Sequence, residues 1–93
     1  YNIHFTKTSN EHLMSYVKMN ADRSNIIWCI VNFDPHNTQA GMVEVPKELL
    51  GIKGSARLRL YDLLRNETYH WTEDWNYVEI NPYRFPAHVM RLF

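Results

Sequence analysis

Short runs in which apolar and polar residues alternate, separated by Asn, Asp, Gly and Pro, fill this chain, and that period of two belongs to strands and turns rather than helices. Residues 2–6 and 12–19 form a first pair around Thr8-Ser9-Asn10, whose side chains compete for backbone hydrogen bonds and so favour a turn. Residues 25–34 are the most apolar strand: Ile26, Trp28 and Ile30 point one way, while Ile27, Cys29, Val31 and Phe33 point the other. A strand apolar on both faces is covered on both, so one face is expected to meet a neighbouring domain. Trp28, flanked by Ile26 and Ile30, is the candidate for that contact.

The strand stops at Asp34-Pro35, where proline fixes its own φ and bars the residue before it from the helical region. Asp34 is placed to cap that turn with its carboxylate, and a loop runs on through Gln39. Gly41 to Val45 alternates again, and Pro46 with Gly51 brackets a single helical turn over Lys47-Glu48-Leu49-Leu50. Residues 56–63 put Leu58 and Leu60 on one face and Arg57, Arg59 and Tyr61 on the other. Arg65-Asn66 leads into residues 67–71; a two-residue hairpin there needs positive φ, which Asn tolerates and Arg does not, so a longer turn is the alternative. A strand carrying Val78 and Ile80 and a closing strand over 87–93 complete about eight strands of an all-β, two-layer antiparallel sandwich.

At 93 residues there is room for one domain and one core, taken as residues 1–93. The chain begins at Tyr1 directly before a strand-like run, as if cut from something longer. Ten basic residues balance ten acidic ones, so no net field steers the domain toward nucleic acid or an anionic membrane. No apolar run approaches the ~20 residues that span a bilayer. The lone Cys29 reads as a small buried hydrophobe and suggests a reducing, cytoplasmic setting.

Chemistry is thin. His4, His12, His36, His70 and His88 show no i, i+4 pair and accompany no cysteine pair, so no metal site is assigned. The acids Glu44, Glu67, Glu73, Asp74 and Glu79 fall in turns or on polar strand faces, where solvent keeps a carboxyl ordinary and leaves no raised-pKa acid for glycoside hydrolysis. Ser15, Ser24 and Ser55 sit in no G-x-S-x-G elbow. Trp71, Trp75 and Tyr77 lie close on two strands joined by Thr72-Glu73-Asp74, and rings exposed side by side can stack on sugar. Against that stands burial: Tyr69 and Trp71 share a face and would fill the core, each burying roughly 150–250 Å².

The order Val31-Asn32-Phe33-Asp34-Pro35-His36, Tyr61-Asp62-Leu63-Leu64, Tyr69-His70-Trp71, Trp75-Asn76-Tyr77-Val78 and Pro86-Ala87-His88-Val89-Met90-Arg91-Leu92 resembles the C-terminal domain of α-amylase-clan enzymes. Within that clan it is most similar to bacterial maltosyltransferases that extend α-1,4-glucan from maltose 1-phosphate, over nearly the whole chain. Arg65-Asn66 departs from the glycine-containing turn of many relatives. The resemblance implies a Greek-key sandwich packed on an upstream catalytic (β/α)₈ barrel that holds the catalytic carboxylates. No catalytic residue and no cofactor is therefore assigned to this chain. Three roles follow as expectations: a structural domain covering the barrel; a carbohydrate-binding module contacting α-glucan through Trp71, Trp75 and Tyr77; or an Ig-like interaction domain.

Overall fold

The computed structural model describes residues 2–92. Eight strands and one helical turn follow in order: β1 (Asn2–Thr6), β2 (Leu13–Met19), β3 (Ile26–Asn32), β4 (Gln39–Glu44), α1 (Lys47–Leu50), β5 (Leu58–Asp62), β6 (Glu67–Trp71), β7 (Trp75–Ile80) and β8 (Ala87–Leu92). Two antiparallel sheets result: a six-stranded one in the order β1-β2-β3-β8-β5-β6, and a two-stranded one made of β4 and β7. The chain passes to the small sheet after β3 and again after β6, and β8 returns to lie between β3 and β5, which is the Greek-key crossing.

The core lies between the sheets. Leu13, Val17, Trp28, Ile30, Leu60 and Met90 come from the large sheet, and Val43, Val78 and Ile80 from the small one, with Val45 and Ala56 alongside. Two strands cannot roof six, so the remainder is closed by partly buried Leu49, Leu50 and Ile52 from α1 and the segment after it, and by Tyr69 and Trp71 at the β6 edge. The alternation of β7 is complete: Asn76, Val78 and Ile80 are buried while Trp75, Tyr77 and Glu79 are exposed.

Several turns work as the residue types demand. Asn10 accepts the His12 amide (2.8 Å) and donates to the Ala40 carbonyl (2.9 Å), while Ser9 Oγ accepts the Met42 amide (2.8 Å), so the first turn also anchors β4. That closeness requires glycine opposite it: a Cβ on Gly41 would stand 3.0 Å from Asn10 Cβ. Pairing thus draws Gln39 and Ala40 into β4, which begins two residues before the Gly41 start read from alternation. Asp34 caps its turn as expected, accepting the amides of His36 (2.9 Å) and Asn37 (3.1 Å) and the Gln39 side chain (2.8 Å). These bonds, the His36 amide foremost, hold its carboxyl down at about 2. Gly51 closes α1 in the left-handed region at φ 73°.

The β5–β6 connection is the longer turn. It spans residues 63–66, the Asn66 amide donates to the Asp62 carbonyl (2.8 Å), and of its residues Asn66 alone takes positive φ, at 60°. Arg65 is spared the left-handed conformation, which removes the strain foreseen for a two-residue hairpin. The closing strand ends at Leu92 among the described residues; Tyr1 and Phe93, included in the 1–93 reading, lie outside them.

Candidate functional site

Trp28 corrects the sequence reading. It points inward, is fully buried within this chain, donates from Nε1 to Ser15 Oγ (2.6 Å) and meets Trp71 edge to face at 5.1 Å between ring centroids. Ile30 is equally buried and Ile26 packs against the same core. These three side chains are spent on the sandwich itself. Among a strand's two apolar faces, the sequence pattern does not say which one its own second layer will claim; here β4 and β7 claim the Trp28 face.

The other face of β3 carries Cys29, which is buried, between half-buried Ile27 and Val31. In the register of the large sheet one row runs Phe5, Tyr16, Cys29, Val89 across β1, β2, β3 and β8, and ends at Leu63, whose amide bonds the Val89 carbonyl. Neighbouring rows add Met14, Val31 and Ala87 on one side and Ile3, Ile27 and Tyr61 on the other. Among the described residues, no second sheet lies over them. Phe5 is 71 % exposed and Ile3 55 %, with Phe5 tilted over Tyr16 at 5.9 Å. The strand registers also put Lys18, Arg59, His70 and Arg91 on this face.

The aromatic trio of the sequence reading does not assemble. Trp71 faces the core against Trp28, whereas Trp75 and Tyr77 stand together on the outer face of the small sheet, 36 % and 60 % exposed. Met42 is paired opposite Tyr77 and Glu44 opposite Trp75. Beside Trp75 lies a shallow depression of about 520 Å³ lined by Met42, Ser55, Thr72, Glu73 and Asp74. The two rings and this hollow are the part of the sugar expectation that the fold brings to one place.

Sequence reasoning missed the most polar feature inside the domain. Asp62 is fully buried; Oδ1 accepts the amides of Leu64 (3.0 Å) and Arg65 (3.1 Å), and Oδ2 accepts from Arg65 Nη1 (3.0 Å), Tyr69 Oη (3.2 Å) and His88 Nδ1 (2.8 Å). Burial pushes this carboxyl up, but the His88 bond, the two amides and the Arg65 guanidinium outweigh it and hold it below the ordinary carboxylate range. Burial is also the main reason the His88 ring is held below its ordinary value, against the opposing pull of Asp62. The same ring nitrogen, Nδ1, lies 2.8 Å from Asp62 Oδ2 and 3.2 Å from Arg65 Nη1, and it bonds the carboxylate when it carries a proton. Burial, followed by the Asp62 charge, raises the Tyr69 hydroxyl. Arg65 completes the lock by bonding the Ala87 carbonyl (2.9 Å) and lying over the Phe85 ring (5.1 Å). The available signal was parity: Asp62 continues the inward series Leu58, Leu60 one step before a turn. The acid clamps the β5–β6 turn to β8.

The described residues hold no group of three His, Cys, Asp or Glu side chains able to bind a metal ion. No helix among them is long and apolar enough to cross a membrane. Two antiparallel sheets packed over one core define the class, an all-β sandwich domain. More specifically, residues 5–92 match the family model described as "GLGE, C-terminal", and the chain belongs to that family. It is 41 % identical over 83 residues to the alpha-1,4-glucan:maltose-1-phosphate maltosyltransferase of Chlorobaculum tepidum, covering 89 % of this chain and 12 % of that protein. The corresponding figures are 34 % over 91 residues for the Methylacidiphilum infernorum enzyme, covering 98 % and 14 %, and 38 % over 87 residues for maltosyltransferase 1 of Streptomyces coelicolor, covering 94 % and 12 %. The chain thus spans about an eighth of the length of these curated relatives.

Proposed function

We propose that this chain is the non-catalytic C-terminal domain of a cytoplasmic maltosyltransferase, and that it docks on the catalytic barrel of that enzyme through the outer face of its six-stranded sheet. The observation that supports the reading is the apolar field of exposed Ile3 and Phe5 with half-buried Tyr16, Ile27 and Val31, on a chain that spans only 12–14 % of each relative. Burying such a field stabilises an interface by ~25 cal/mol per Å² of apolar area before the costs of association. The domain's work is then to cover apolar surface and hold the barrel in position, with chemistry supplied elsewhere.

Hydroxyl-radical footprinting tests this on the full-length protein carrying the chain, beside the 93-residue chain alone. Phe5, Met14 and Tyr16 are expected to oxidise readily in the chain alone and to be protected in the full-length protein, while Tyr77 reacts equally in both. Equal oxidation of Phe5, Met14 and Tyr16 in the two samples would overturn the docking face.

A further inference from the structure

We propose that the outer face of the β4–β7 sheet holds a binding site for a neutral oligosaccharide of the α-1,4-glucan type, centred on Trp75 and the hollow beside it. Specificity for that glucan rests on the maltosyltransferase reading; the sugar site itself rests on its own geometry.

The hollow combines the two things a pyranose needs. Trp75 and Met42 offer apolar surface for the C–H face of a ring, and Ser55, Thr72, Glu73 and Asp74 offer hydroxyls and carboxylates to the ring's own hydroxyls. Its size, about 520 Å³, falls in the ordinary range for small-ligand sites of ~300–1,000 Å³. Tyr77 extends the aromatic surface two residues along β7, ~7 Å away by strand geometry, so that two successive sugars have a ring each.

The site is also held in place before any ligand arrives. Asn76 Nδ2 donates to the Glu73 carbonyl (2.8 Å), the Val45 amide donates to the Asp74 carbonyl (2.8 Å), and Lys47 Nζ pairs with the Asp74 carboxylate (3.2 Å). Tyr77 Oη donates to Glu79 (3.0 Å), which tethers the second ring. A preformed turn and tethered rings reduce the ordering cost that weakens binding to flexible surfaces.

Charge selects among ligands. Glu44, Glu73, Asp74 and Glu79 crowd this face with Lys47 as the cation bonded to it, so nucleic acid and phosphorylated sugars are repelled while an uncharged polyol is not. The face lies on the opposite side of the sandwich from the docking field, so a domain seated by its large sheet presents this site to solvent.

The test is a ¹⁵N-resolved NMR titration of the full chain with maltoheptaose at millimolar concentration, with cellohexaose as the β-linked control. Shifts are expected at residues 42, 55, 72–75 and 77 with maltoheptaose and weaker ones with cellohexaose. Trp75→Ala is expected to weaken binding roughly tenfold, the worth of one aromatic stack. Trp75→Tyr, which keeps a ring, should retain most of the affinity, and Phe5→Ala on the far face should retain all of it. No shifts, shifts elsewhere, or undiminished binding by a folded Trp75→Ala chain would overturn the site. Equal response to cellohexaose would overturn the α-glucan assignment. The footprint of Phe5, Met14 and Tyr16 reads the docking proposal separately, so either can fail without the other.

Discussion

Removing the Asp62 carboxylate is the sharpest test of how this sandwich is held together. Five donors converge on it: the amides of Leu64 and Arg65, Arg65 Nη1, Tyr69 Oη and His88 Nδ1. Asp62→Ala leaves the Arg65 guanidinium, with only 18 % of its side chain exposed, facing a void without its counter-charge. Breaking a buried pair by deleting one partner costs about 3–5 kcal/mol, much of it the penalty on the charge left behind. Asp62→Asn keeps the shape, and its Oδ1 still serves the two amides; its NH₂ group then faces the Arg65, Tyr69 and His88 donors. His88 can relieve one clash by moving its proton to Nε2, so the loss falls to about 2–3 kcal/mol, the scale of a charged hydrogen bond. Against a total stability of ~5–15 kcal/mol either change is severe. Urea unfolding followed by far-UV circular dichroism should show both losses with an unchanged denaturant slope, and thermal melting should drop by roughly 12 °C or more for the alanine variant. If both variants stay within ~0.5 kcal/mol of the parent chain, the cluster is not a clamp and the argument from convergent donors fails.

The same cluster sets a pH dependence. The His88 value lies below the ordinary 6.5, so as pH falls past 6.5 the unfolded chain takes up the proton first and stability declines; Asp62 lies below 3.8, so its contribution, whole above 3.8, is lost as pH falls through the folded value. The unfolding free energy should therefore fall in two steps on acidification, by up to ~1.4 kcal/mol per pH unit for each proton, and Asp62→Asn should shrink the lower step, to which Asp34 also contributes; a stability that rises below pH 6.5 contradicts the sign. Trp28→Phe leaves Ser15 Oγ without the indole donor and opens space in the core, at a cost of about 2 kcal/mol, and it should reduce the blue-shifted component of tryptophan fluorescence, leaving the part from Trp71, while the exposed Trp75 keeps the red one. At the β5–β6 turn, Asn66→Gly should be neutral or slightly stabilising in a thermal melt. Asn66→Val, which resists φ 60°, should cost about 1–2 kcal/mol.

Much of the fold was legible because alternation is a local property. The period of two in residues 26–33 and 75–80, the proline after Asp34 and the Pro46–Gly51 bracket each act within a few residues, and the strands, the cap and α1 stand where they point. The boundaries that moved were set by partners distant in sequence: β4 gains Gln39 and Ala40 because Ile80 and Glu79 pair with them and Asn10 bonds the Ala40 carbonyl. The family motifs carried the family assignment, and the match over residues 5–92 agrees with it.

What the amino-acid order determined by itself is which residues share a face: Ile26 with Trp28 and Ile30, Ile27 with Cys29 and Val31, Leu58 with Leu60 and Asp62, Trp75 with Tyr77. Parity along a strand follows from backbone geometry alone. Which of those faces turns inward, and which strands stand beside one another, the tertiary structure decided. Trp28 went to the core rather than to an interface, and Trp71 parted from Trp75 and Tyr77 because β6 and β7 belong to different sheets. Asp62 acquired its partners only when β8 came to lie against β5 and set His88 beside it. The physical reason is that sheet assignment depends on long-range pairing, and the competition between two apolar faces for one covering layer is settled by the total area buried, a quantity no local pattern contains.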